Sequence, residues 1–267
     1  MYRATAVVHR ACGADSQRTV RRLRQAASVV GAIAFCGCSG RQSALDPAGR
    51  GAEQIAELTW WMTAGLVTIW CAVVALTVLA VRSHPETFTR RRAASLIIGG
   101  GVVVPTVVLA VLLFFGLSLL PAQLAPAPEG SQVIHVIGEQ WWWRVRYERP
   151  GREAVELANE IHLPVGEPVE FRLDSADVIH AFWIPSLGGK IDMVPGRTNR
   201  LSLLPTRVGR FRGVCAEYCG GPHALMAFEV VVEEQEDFDR WLERQAEPAE
   251  EPALERGQRL FQASGCG

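Results

Sequence analysis

From Cys215 to Met226 the chain reads Cys-Ala-Glu-Tyr-Cys-Gly-Gly-Pro-His-Ala-Leu-Met, with two thiols, one imidazole and one thioether in a single short stretch. Thiolate and thioether are soft donors and imidazole is borderline, a mixture that favours copper over magnesium, calcium or manganese. Cys215 and Cys219 stand too close in sequence for two separate sites, so both sulfurs are expected to face one metal centre. Gly220, Gly221 and Pro222 allow a sharp turn that brings His223 and Met226 back towards those sulfurs. On these residues alone, a disulfide and a Cys2His zinc site stay open as alternatives. Met226 counts against zinc, for which a thioether is a poor ligand. A thioredoxin-like copper chaperone also uses Cys-x3-Cys, but there the pair precedes a helix in a βαβ setting, which is not visible here. A redox site leads these readings.

Such donors need a rigid frame. Residues 132–137, 141–147, 160–163, 169–173, 178–183, 200–204, 211–214 and 227–232 form short runs rich in Val, Ile, Phe and Trp, divided by Gly, Pro and Asp turns. Roughly eight strands at this spacing predict an all-β sandwich or barrel of Greek-key type. The run at 227–232 follows Met226 directly, which places the cysteine stretch between the last two strands. A copper pair wants a second imidazole, and His180 stands on the distant run 178–183. Taken alone, a strand histidine is more often a satisfied core residue. Beyond the sandwich, residues 236–245 predict a short amphipathic helix with Phe238 and Trp241 on its inner side.

Two apolar stretches precede the β-domain. Residues 60–81 are apolar on every face, with Trp60 and Trp61 at the edge, a length and pattern that predict a membrane span. Residues 94–120 predict a second span, kinked at Pro105. Arg82, Arg90, Arg91 and Arg92 make the connection between them basic, so the positive-inside rule puts that loop in the cytoplasm and both ends of the hairpin outside. Residues 1–38 resemble an export leader: Arg18, Arg21, Arg22 and Arg24 precede a short apolar run ending at Cys36 and Cys38. Cys38 is a candidate lipidation site, although Phe35 and Cys36 fit that pattern poorly. The expected division is a leader at 1–38, a linker at 39–53, a membrane hairpin at 54–122, an outer β-domain at 129–245, an acidic linker at 246–253 and a tail at 254–267. With a net charge of −1 and no basic stripe outside short loops, nucleic acid is not an expected partner. Seven cysteines without a regular framework read as site residues and strays, not as disulfide staples.

The combination is specific. His180, the Cys-x-Glu-x-Cys-Gly-x-x-His-x-x-Met stretch, Gly138-Glu-Gln-Trp-Trp-Trp143 and Pro185-Ser-Leu-Gly-Gly-Lys-Ile-Asp-Met-Val-Pro-Gly-Arg197, behind a two-helix hairpin, closely resemble subunit II of haem–copper cytochrome c oxidases. The resemblance covers about residues 52–245. It implies a cupredoxin-like domain holding a binuclear copper (CuA) centre, a respiratory-chain role in electron transport from cytochrome c to haem in subunit I, and a place in a bacterial inner membrane. Oxygen reduction coupled to proton translocation would belong to the complex. By the same resemblance Cys215 and Cys219 bridge both coppers. His180 and Met226 complete one copper; His223 and the backbone carbonyl of Glu217 complete the other. Trp141 matches the electron-entry position, and packing is the reading for Trp142 and Trp143. The side chain of Glu217 would reach a magnesium or manganese ion at the boundary with subunit I, with Asp192 and Arg197 along that boundary. Asp177, Glu156 and Glu160 would offer the donor cytochrome an acidic face.

Two departures stand out. The glutamate that many relatives place at the start of the second span has no counterpart near Leu96–Ile98, so no proton-entry residue is assigned. The tail resembles the start of a cytochrome c domain, with Cys266 as the first haem-binding cysteine, and haem c would bind only if the natural chain continued past Gly267. Two rival readings exist. A quinol-oxidase subunit II lacks the copper ligands that are complete here. A membrane-tethered copper assembly protein would need only one span.

Overall fold

A computed structural model describes residues 39–82, 89–247 and 255–264. The expected leader with Cys38, most of the acidic linker and Cys266 lie outside the described residues.

Helix α1 (Arg50–Arg82) contains the first apolar run but starts ten residues before it. Its opening turn is built against the β-domain: Ala52 and Ala56 are buried, the Ala52 amide donates to the Leu187 carbonyl at 3.1 Å, and the Thr206 hydroxyl meets the Glu53 carboxylate at 2.6 Å. Residues 41–49, expected as part of a plain linker, form a strap along the domain. Ala48 is fully buried, Gly49 bridges to Pro205, the Arg41 carbonyl accepts from the Arg212 amide and its guanidinium pairs with Glu229. The second apolar stretch comprises α2 (Arg90–Ile98), a π-turn (Gly99–Val103) and α3 (Val104–Leu124). Pro105 lacks the N–H that would close an α-turn back to Gly101, and the widened turn falls directly before it. Both helices are long and apolar enough to cross a membrane. They share a cleft lined by Leu58, Trp61, Met62, Leu112 and Phe115.

The β-domain is a sandwich of two five-stranded sheets, ordered β3-β2-β1-β5-β8 and β4-β10-β9-β6-β7. The first sheet contains β1 (Gln132–Glu139), β2 (Trp142–Tyr147), β3 (Val155–Ala158), β5 (Val169–Ser175) and β8 (Asn199–Leu203). The second contains β4 (Glu160–Pro164), β6 (His180–Trp183), β7 (Ile191–Met193), β9 (Gly209–Cys215) and β10 (Ala227–Glu233). The eight expected strands are present, together with the short β3 and β7. Parallel pairing of β1 with β5 and of β4 with β10 sets these distant segments side by side. Alternate residues of the facing sheets form the core. Trp143 lies at its centre, in edge contact with Phe182 and Phe228 at 5.9 and 5.2 Å between ring centroids. Helix α4 (Gln235–Gln245) closes one end with Phe238, Trp241 and Leu242 buried, and a last helix, α5 (Glu255–Ala263), lies in the tail.

Candidate metal centre

The centre forms at the other end of the sandwich, where β9 runs out. Cross-strand pairing of Phe182 with Cys215 and of Trp183 with Val214 sets the start of β6 beside the end of β9. His180 and Cys215 therefore meet although 35 residues separate them. The loop from Cys215 closes on itself, for the Cys215 amide donates to the Met226 carbonyl at 2.9 Å. Its far leg is a 3-10 turn, His223–Leu225.

Five side chains and one carbonyl converge there. The two thiol sulfurs lie 3.8 Å apart, far beyond the roughly 2.05 Å of a disulfide, and both cysteines are free. Cys215 Sγ lies 3.8 Å from His180 Nδ1 and 3.2 Å from the Glu217 carbonyl oxygen. Cys219 Sγ lies 3.5 Å from His223 Nδ1 and 3.7 Å from Met226 Sδ. His180, Cys215, Cys219 and Met226 are all buried. Burial first, and the facing Cys215 second, push the Cys219 thiol up to about 12. Two sulfurs this close in an apolar pocket become anions only with a cation between them to offset desolvation and mutual repulsion. The ligand atoms of His180, Cys215 and Cys219 all lie within 4.8 Å of one another, and the adjoining imidazole and thioether extend this group into a soft donor set that fits copper.

Each donor is held from behind. His180 Nε2 lies 2.8 Å from Asp177 Oδ1, which leaves Nδ1 turned towards the sulfurs. Burial opposes ionisation of Asp177, but the hydrogen bond from His180 and those from the Val178 and Gln140 amides outweigh it and hold the carboxyl below its ordinary range. Gly138 makes room for the imidazole: a Cβ there would stand 2.8 Å from His180 Cδ2. Gly220, at φ +121°, takes a backbone conformation that a side chain resists and lies under the Trp141 ring. The indole N–H of Trp141 donates to the Cys219 carbonyl at 3.1 Å, while 40% of the residue remains exposed.

The family model for the cytochrome c oxidase subunit II periplasmic domain matches residues 148–234. A cytochrome c oxidase subunit 2 of Alkalihalophilus pseudofirmus is 42% identical over 147 residues, 53% of this chain and 42% of that protein. An alternative cytochrome c oxidase subunit 2 of Bradyrhizobium diazoefficiens is 33% identical over 150 residues, 46% of this chain and 54% of that protein. The crystal structure of the periplasmic domain of cytochrome oxidase subunit II of Bradyrhizobium japonicum is 33% identical, covering 45% of this chain and 96% of that one, with a TM-score of 0.42. Residues 148–234 thus match the periplasmic domain of the cytochrome c oxidase subunit II family. The chain spans about half the length, or less, of the two curated subunit II relatives.

The three acids expected to face a donor cytochrome each have a partner within this domain and keep part of their surface exposed. Asp177 is taken up by His180 and Gln140. Glu156 is paired with Arg144 at 2.6 Å, and Glu160 with His162 at 2.8 Å. Beside the ligand-bearing segments Trp141, Ile179, Tyr218 and Leu225 are exposed. Trp143 is core, as its packing reading requires, and Trp142 lies under the Arg144 guanidinium at 5.0 Å. Asp192 and Lys190 form a surface pair at 3.6 Å. Sequence reasoning quoted Gly138 and Gln140 only within a motif and missed what they touch, as it missed the link from Asp177 to His180. A carboxylate three residues before a ligand histidine was the available signal for the last.

Proposed function

We propose that this chain is the electron-entry subunit of a haem–copper cytochrome c oxidase, holding a binuclear CuA centre on the outer side of a bacterial inner membrane. The observation that carries the reading is the convergence of His180 Nδ1, His223 Nδ1, Met226 Sδ and the Glu217 carbonyl on two unjoined sulfurs, each within 3.8 Å of one of them. Cys215, Cys219, His180, His223, Met226 and the Glu217 carbonyl would hold the copper pair. When bound, the pair supplies a one-electron relay whose charge is shared between two metals, so that transfer demands little rearrangement. The protein's part is to hold that geometry: the sheet fixes Cys215 against His180, Asp177 orients the imidazole, and the packed loop excludes water.

Trp141 is the entry residue in this reading. Its indole reaches both the surface and the backbone of Cys219. Cytochrome c would dock on the exposed Trp141, Ile179, Tyr218 and Leu225, and electrons would pass on to haem in subunit I, where oxygen is reduced and protons are pumped. Glu217 would direct its carboxylate to a magnesium or manganese ion at the boundary with subunit I, near Asp192 and Arg197. The basic connection at Arg82 and Arg90–92 would lie in the cytoplasm, leaving both ends of the hairpin and the metal domain outside.

The test is metal analysis and spectroscopy of the full chain in detergent after loading with copper ions. Two coppers per chain, a purple colour and the paramagnetic signal of an electron shared by two metals are expected. One zinc per chain with no visible absorption would overturn the reading.

A further inference from the structure

Gln140 occupies the two-residue turn between β1 and β2, outside every ligand-bearing segment, yet it touches both. Its backbone N–H donates to Asp177 Oδ2 at 2.6 Å, while Oδ1 of the same carboxylate lies 2.8 Å from His180 Nε2. Its side-chain amide donates to the Cys219 carbonyl at 2.8 Å. The two contacts reach 37 and 79 residues along the chain. We propose that Gln140 is a positioning residue for the metal centre, a clasp that sets Cys219 against the half of the site already fixed by the sheet. This rests on the copper reading above and adds a residue to it.

The asymmetry between the two sulfurs is the reason. Cys215 belongs to β9, which pairs with β6, the strand that starts at His180, and its amide donates to the Met226 carbonyl. That half of the centre is set by sheet register. Cys219 lies four residues further on, in a turn with no strand partner. Its carbonyl is held by two donors from the β1–β2 turn, the Gln140 side chain and the Trp141 indole. The position of Cys219 Sγ, and of the His223 and Met226 atoms beside it, thus depends on that turn. Gln140 is the member that also grips Asp177, so one residue sets the spacing between the two halves. A centre holding two metals would depend on that spacing more than a single-metal site would, since both halves of the donor set must be in place for it.

The experiment titrates the full chain in detergent with copper ions, comparing wild type with Gln140→Glu and Gln140→Met. Gln140→Glu keeps the shape but replaces the amide donor with an acceptor. Gln140→Met keeps the length without polarity. Both are expected to lose about tenfold in affinity for the second copper and to broaden or split the shared-electron signal, with the melting temperature of the copper-free chain unchanged. Wild-type affinity and signal in both variants would overturn the proposal. A fall in copper-free melting temperature that accounts for the copper loss would also overturn it, since the role would then be structural. A wild-type chain that takes up no second copper would instead sink the copper reading, and the two failures are separated by that control.

Discussion

Among the described residues two histidines are buried, one at each end of the sandwich, and they serve different purposes. His162 has both nitrogens occupied: Nδ1 lies 2.7 Å from Glu233 and Nε2 lies 2.8 Å from Glu160. Its ring stacks on Trp241 at 3.9 Å and 7°, and the Tyr147 hydroxyl bridges its backbone amide and carbonyl. Nothing on that imidazole is left for a metal. It anchors helix α4 to the sheet. His180 has one nitrogen on Asp177 and the other facing sulfur. Burial alone therefore does not mark a ligand; a nitrogen left without an oxygen partner, aimed at soft atoms, does.

Four experiments sharpen or break that contrast. The largest effect is expected from Cys215→Ser or Cys219→Ser, either of which should abolish two-copper binding by metal analysis. His162→Ala should leave copper content untouched, and a loss there would erase the distinction between the two ends. Next, Asp177→Ala frees His180 Nε2 and should weaken copper binding roughly ten- to hundredfold, read by competition with a chelator. Third, His162→Ala should lower folding stability by about 2 kcal/mol, through the lost stack and two carboxylates left without their partner. Thermal melting of the copper-free chain measures it.

The smallest effect concerns the pH response of the α4 end. A hydrogen bond from Arg149, aided by Arg152, holds the Glu243 carboxyl below its usual value. A carboxylate lowered on folding contributes fully above its unfolded pKa and loses that contribution as the pH falls through the folded one. Melting temperature should thus decline below about pH 4.5, and Glu243→Gln should make that decline slightly shallower. An identical acid response in wild type and variant would remove Glu243 from the account.

The amino-acid sequence by itself determined the donor types and the one-loop spacing of Cys215, Cys219, His223 and Met226, because these are local. It also determined the two apolar spans and the eight principal strands, since hydrophobic length and alternation are written along the chain. Local pattern could not reveal β3 and β7, which are only four and three residues long, or the strap at 41–49, whose polar look hides its backbone pairing with Ser186, Thr206 and Arg212. Only the tertiary structure decided that Asp177 serves His180, and that Gln140 reaches both halves of the centre. Those roles depend on hydrogen bonds between segments that sheet register brings together, and periodicity within any one segment carries no record of what lies across from it.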